Sequence, residues 1–177
     1  MLIAMALPQV CVTYLLRDGA HGTEVLLGQK KRGLGVSKIV GLGGKLKLGE
    51  HPRVAAVREI EEEANLFVDP KQLRHVALLT YIFGSKPALS QESWVYLCRD
   101  WIGEPTESDE IAPIWFPLSD LPLDNMWSDA QYWLPRALRG QFIRASYIFG
   151  NDLHTAVASD DPDTGLPSLP PPGTVGD

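Results

Sequence analysis

Two runs near the start of the chain, Gln9 to Leu16 and Glu24 to Gln29, are rich in apolar and β-branched residues, with Asp18-Gly19 and Gly22 between them. That pattern predicts a β-hairpin. A glycine-punctuated stretch, Lys30 to Gly49, follows, and then the period changes. Val54, Val57, Ile60 and Ala64 recur at helical spacing. A helix is therefore expected from Pro52, a residue suited to a first turn, to about Ala64, with those four side chains as its buried stripe. Asn65 suits the left-handed stop. Three strand-like runs come next: His75 to Phe83, Ser93 to Trp101 and Ile111 to Leu118. Asp129 to Leu138 reads as a second helix despite Pro135, and Phe142 to Phe149 as a last strand. From about Ser159 the residues are Asp, Pro, Gly and Ser with few apolar ones. One domain over 1–158 and a disordered tail over 159–177 are the expectation.

Length and charge narrow the class. A chain of 177 residues suffices for one domain with a full core. A formal net charge of −6 argues against broad phosphate neutralisation on a nucleic acid. An acidic protein still binds a nucleotide if metal ions supply positive charge. Cys11 and Cys98 each lie in an apolar run, which favours two buried thiols over a disulfide. Met1 to Leu7 lacks the basic leader and length of a signal peptide. No run approaches the roughly 18 apolar residues of a membrane span, so the cytoplasm is the expected compartment.

The chemistry concentrates in Gly44 to Leu66, GKLKLGEHPRVAAVREIEEEANL. On a helix, residues four apart lie on one side, about 6 Å along the axis. Glu59 and Glu63 are such a pair, Glu62 flanks them, and Glu50 precedes the helix. Magnesium takes oxygen ligands, keeps several waters, and binds through a few carboxylates plus substrate phosphates. Arg58, one turn before Glu62, is placed to fix a carboxylate or to meet phosphate. The plain alternative is a solvated acidic helix face, and on these residues alone both readings stand. Gly41-Leu42-Gly43-Gly44 is neither a Walker loop, since leucine follows Lys45, nor a dinucleotide fingerprint.

The spacing Gly44, five residues, Glu50, seven residues, Arg58-Glu59-Ile60, then Glu62-Glu63 and Leu66 resembles the Nudix box. Asn65 stands where the family pattern has glycine, and both tolerate a left-handed helix stop. The resemblance implies an α/β (α+β) fold, a Nudix α/β/α sandwich with a mixed β-sheet between helices. It implies magnesium, with manganese as a substitute, and hydrolysis of a nucleoside diphosphate linked to another group. By the same resemblance Glu59 and Glu63 are metal ligands, Glu62 and Glu50 lie nearby as ligand or base, and Gly43 offers a carbonyl.

Further stretches are similar to the MutT-homologue branch, which hydrolyses oxidised purine nucleoside triphosphates. They are QKKRGLG from Gln29, GLGGK from Gly41, ESDEI from Glu107 and DNMWSDAQYWLP from Asp124. Carried across, Glu110 is a further metal ligand and Lys30 faces the phosphates. Trp127 stacks on the purine, Asp129 hydrogen-bonds it, and Trp133 supports the pocket. A tryptophan face covers a base for about 1–3 kcal/mol. Three positions depart from the branch: Ala130 replaces a second acid, Val40 an asparagine and Leu34 an aromatic residue. Neither Ala130 nor Val40 makes side-chain hydrogen bonds, so base discrimination must be weaker or built differently.

The resemblance thus implies a magnesium-dependent 8-oxo-dGTP diphosphatase-like enzyme of nucleotide-pool sanitation and DNA repair, with a small nucleotide as its partner and the chain as monomer or homodimer. A second reading keeps the metal and changes the substrate to a dinucleoside polyphosphate or nucleotide sugar. A third is a Nudix-fold binding module without catalysis. Such a module would be expected to lose acids from the box, and Glu50, Glu59, Glu62 and Glu63 are all present.

Overall fold

A computed structural model of the chain describes residues 6–171. Expectations for residues 1–5 and 172–177 lie outside them. The strands are β1 (Gln9–Gly19), β2 (Gly22–Lys30), β3 (Ile39–Val40), β4 (Leu42–Lys45), β5 (Arg74–Phe83), β6 (Gln91–Cys98), β7 (Ile111–Pro117), β8 (Ile143–Phe149) and β9 (Ala156–Ser159). The helices are α1 (Pro52–Ala64) and α2 (Ala130–Leu138). The strands form one sheet in the order β3-β2-β1-β6-β5-β8-β9, with β4 also on β1 and β7 on β2. The β1–β6 and β5–β8 pairs are parallel and the others antiparallel, so the sheet is mixed.

Each face of the sheet carries one helix. Leu15, Leu26, Leu42 and Tyr96 pack with Ala55, Ala56, Ile60 and Ala64 of α1. Tyr14, Leu27, Leu79, Val95 and Tyr147 pack with Trp133, Leu134 and Ala137 of α2. This is the expected α/β/α sandwich. Cys11 and Cys98 are both buried free thiols. Among the described residues no helix is long and apolar enough to cross a membrane.

A fork in the sheet creates the cavity. The strands β1 and β2 pair from Leu15↔Leu26 to Gly19↔Gly22 and then part. In the gap β4 pairs with β1, from Val10↔Lys45 to Thr13↔Leu42, and β3 pairs with β2 at Gly28↔Val40. At two residues β3 is too short to show a period, and β4 is half glycine, so neither is marked in the sequence.

Two expectations change. The buried stripe of α1 is Ala55, Ala56, Ile60 and Ala64, joined by Glu59 and Glu63, whereas Val54 is 53% exposed and Val57 half-buried. Alanines let the helix lie close on β4, and that rotation turns two carboxylates toward the sheet. The stretch 159–171 is laid along the domain rather than free of it. The Ser159 N–H donates to the Pro167 carbonyl, Asp161 pairs with Arg136 of α2, and Leu166 packs against the α2-side core.

Candidate active site

The end of α1 nearest the fork gathers the acids. His51 caps the helix by accepting from the Arg53 N–H, Pro52 opens it, and Asn65 closes it at φ 56°. These signals set the ends of the helix, and its alanine face on β4 leaves Glu59 and Glu63 turned toward that strand, 8% and 5% exposed. The Gly43 N–H donates to Glu63 Oε2 at 2.9 Å. No side chain fits beneath the pair. A Cβ on Gly44 would lie 2.6 Å from Glu59 Oε1, and one on Gly43 would lie 1.9 Å from the Cys11 carbonyl oxygen.

Arg58 organises the remaining acids. Its Nε and Nη2 donate to the two oxygens of Glu50 at 3.0 and 2.7 Å. Its Nη1 donates to Glu59 Oε1 at 2.7 Å and Glu62 Oε2 at 3.2 Å, and Nη2 reaches the Lys45 carbonyl at 3.2 Å. A fork of donors this well satisfied is pre-organised, which suits arginine and not lysine. The hydrogen bonds from Arg58 hold the Glu50 carboxyl below its ordinary range. Burial pushes Glu59 up, and pushes Glu63 up to about 8, with repulsion from Glu59 and Glu110 adding to the latter.

Opposite the helix, Glu110 pairs with Arg32 at 2.7 Å, and Lys31 pairs with Glu107 at 2.8 Å. Lys30 Nζ donates to the Leu34 carbonyl at 2.8 Å. Among the described residues no three acidic, thiol or imidazole groups yet converge tightly enough to hold a metal ion. The donor chemistry nevertheless fits a hard divalent cation. The acids offer only oxygen, and buried Glu59 and Glu63 are pushed up by burial and by repulsion from nearby carboxylates, Glu110 among them, where a cation would lower their energy.

A cavity of about 730 Å³ runs from these acids to the α2 side of the sheet. At its far end Asp129, 3% exposed, accepts at Oδ2 from Tyr81 Oη (2.9 Å) and Trp133 Nε1 (2.7 Å). Burial pushes the Asp129 carboxyl up. Trp127 meets Phe149 edge to face at 6.1 Å, and Lys38 Nζ lies 5.0 Å above its ring. The sharp Trp127–Asp129 turn is tied by Ser128 Oγ, which accepts from the Ala156 N–H at 2.7 Å. Val40, Ala130 and Leu34 line the same cavity.

The structure therefore brings Gly43, Arg58, Glu59, Glu62, Glu63, Glu110, Lys30, Trp127, Asp129 and Trp133 onto one cavity. Glu50 stands behind Arg58 rather than on the wall. Tyr81 and Arg32 also line the cavity and Lys38 sits over Trp127, and none of the three is singled out by the sequence. Tyr81 reads as an ordinary strand residue, and Arg32 and Lys38 as solvated charges.

The NUDIX domain family model matches residues 7–137. A protein named oxidized purine nucleoside triphosphate hydrolase from Danio rerio is 39% identical over 131 residues, covering 73% of this chain and 82% of that protein. Its namesake from Mus musculus is 39% identical over 116 residues, covering 66% and 72%. Among solved structures, a MutT protein from Bacillus halodurans superposes with a TM-score of 0.70 over 86% of this chain and 96% of that one. At 18% identity that likeness is one of fold.

Proposed function

This chain belongs to the Nudix hydrolase family, and from that premise we propose that it hydrolyses purine nucleoside triphosphates, oxidised ones foremost, to monophosphate and pyrophosphate. The observation that carries the reading is one cavity joining a desolvated acid cluster to a pocket walled by Trp127 and Asp129. Nudix hydrolases depend on a divalent metal. Here magnesium would be held by Glu59, Glu63, Glu62, Glu110 and the Gly43 carbonyl, where it would neutralise diphosphate charge and lower the pKa of water. The metal identity and these ligands are part of the proposal.

The protein's own side chains do the rest. Arg58 keeps Glu50, Glu59 and Glu62 in fixed rotamers, so their carboxylates need no reorganisation when charge develops. Glu63 or Glu62, both on the cavity wall, accepts the proton of the attacking water, while Glu50 anchors Arg58 from behind. Lys30 and Arg32, which line the cavity, would meet the phosphates. Trp127 covers the base, and Asp129, held by Tyr81 and Trp133, presents a rigid carboxyl to its edge. The substrate is a free nucleotide, and sanitation of the nucleotide pool is the role.

The test is product identification. The protein is incubated with magnesium and normal and 8-oxo purine triphosphates, pyrimidine triphosphates, dinucleoside polyphosphates and ADP-ribose. Monophosphate plus pyrophosphate, fastest from oxidised purines, is expected. Preference for another class would discard the base assignment, and no turnover at all would discard hydrolysis.

A further inference from the structure

The base end of the cavity poses a problem of hydrogen bonding. The positions from which the resemblance would lead one to expect edge-reading polar groups hold Val40 and Ala130, which have none. Asp129 has one carboxylate oxygen, Oδ2, already accepting from both Tyr81 and Trp133. A base buried there without partners for its own donors and acceptors would bind poorly, since each unsatisfied group keeps its full desolvation penalty. Asp129 Oδ1 can meet one group of the base edge, and a second side chain is needed for the rest.

Two side chains of β6 are placed to do so. Gln91 and Ser93 are two residues apart on a strand, so both point to one face, and both line the cavity. Ser93 is 2% exposed and Gln91 is half-buried. Among the described residues neither side chain has a hydrogen-bond partner, so both keep their donors and acceptors for whatever fills the cavity. Their neighbour Ser90 shows the ordinary pattern, since its hydroxyl accepts from the Phe83 N–H. Gln91 is also the direct cross-strand partner of Tyr81, whose hydroxyl holds Asp129. Paired side chains on one sheet face lie about 5 Å apart at Cβ. Gln91 thus stands beside the Tyr81–Asp129 pair, with its carboxamide unspent.

We propose that Gln91, assisted by Ser93, reads the base edge beside Asp129 and hydrogen-bonds the purine through its carboxamide. This rests on the reading of the cavity as a nucleoside triphosphate site. A carboxamide carries two N–H donors and a carbonyl acceptor on one plane, so it can answer a donor–acceptor edge in either sense by rotating. It therefore accepts guanine-like and adenine-like edges alike, so this contact does not separate the two. A carboxylate in its place accepts only, and favours edges that present N–H groups, as guanine does.

The experiment is calorimetric titration of the full chain with dGMP, 8-oxo-dGMP, dAMP and dCMP. Inorganic pyrophosphate reports separately on the phosphate end. Wild type, Gln91→Leu, Gln91→Glu and Ser93→Ala are compared, with circular dichroism to confirm folding and steady-state kinetics on the matching triphosphates. Gln91→Leu is expected to weaken binding of all three purine monophosphates by about tenfold. The loss should appear in KM and leave kcat and pyrophosphate affinity nearly unchanged. Gln91→Glu is expected to shift the dGMP-to-dAMP affinity ratio toward dGMP, which a merely structural role would not do. Purine affinity unmoved in Gln91→Leu, or an equal loss for every ligand including pyrophosphate, overturns the assignment alone. Failure of wild type to bind any of the nucleotides or turn over their triphosphates overturns both the assignment and the reading beneath it.

Discussion

One added methyl group tests how tightly the acid cluster is built. In Gly44→Ala the new Cβ would sit 2.6 Å from Glu59 Oε1, 2.7 Å from Cδ and 2.8 Å from Oε2, about 0.8 Å inside the 3.4 Å at which ordinary contact begins. Glu59 cannot swing away cheaply, because Oε1 accepts from Arg58 and the side chain is 11% exposed. Overpacking of this kind costs about 1–3 kcal/mol. For a chain of this size each kcal/mol lowers Tm by about 2–4 °C. Displacing the carboxylate by about 1 Å should cost on the order of a hundredfold in turnover. The assay pairs thermal denaturation with kcat/KM on 8-oxo-dGTP at saturating magnesium. Gly43→Ala is the harsher companion, since its Cβ would lie 1.9 Å from a backbone oxygen of β1 and the β1–β4 pairing must open. Wild-type activity and Tm in Gly44→Ala would refute the claim that Glu59 is held against the glycine turn.

Arg58→Met leaves Glu50 and Glu59 without their partner at 10% and 11% exposure. A destabilisation of about 3–5 kcal/mol is expected in urea denaturation, and a loss under 1 kcal/mol would contradict it. Asp129→Ala orphans Tyr81 Oη and Trp133 Nε1, at about 1–3 kcal/mol each. Asp129→Asn retains a carbonyl acceptor and should recover most of that stability, as differential scanning calorimetry would show. In chelator, Glu63 binds a proton up to about pH 8 when folded but only to about pH 4.3 when unfolded. The folded state then holds the extra proton between those values, so stability falls as pH rises through that window. Denaturation at pH 5 and pH 8 should show this decline in wild type and a smaller one in Glu63→Gln; equal slopes would contradict it.

Local signals were readable, and contacts made at a distance were not. The proline, the acids and Asn65 mark α1 in the sequence because caps and stops are local chemistry. The rotation of that helix was misread, since valine outranks alanine in hydropathy while alanine allows the close approach to β4 that the fold uses. The strands β3 and β4 stayed hidden because the first is only two residues long and the second is half glycine, although they fill the fork in the sheet. Arg32 meets Glu110 across 78 residues and Tyr81 meets Asp129 across 48, distances at which spacing says nothing. The unspent side chains of Gln91 and Ser93 become visible only once their neighbours are seen to be satisfied. The stretch after Ser159 looked too polar to pack, yet Asp161 finds Arg136 of α2 and Leu166 the core beneath it.

The central claim is that the buried acids of α1 carry out hydrolysis, and turnover of 8-oxo-dGTP by Glu63→Gln tests it most directly. Glutamine keeps the side chain's size and can still accept the Gly43 N–H, so the fold should survive with Tm equal to or above that of wild type. Turnover should fall by orders of magnitude at saturating magnesium while dGMP binding persists. Near-normal turnover would show that the α1 carboxylates are packing rather than chemistry.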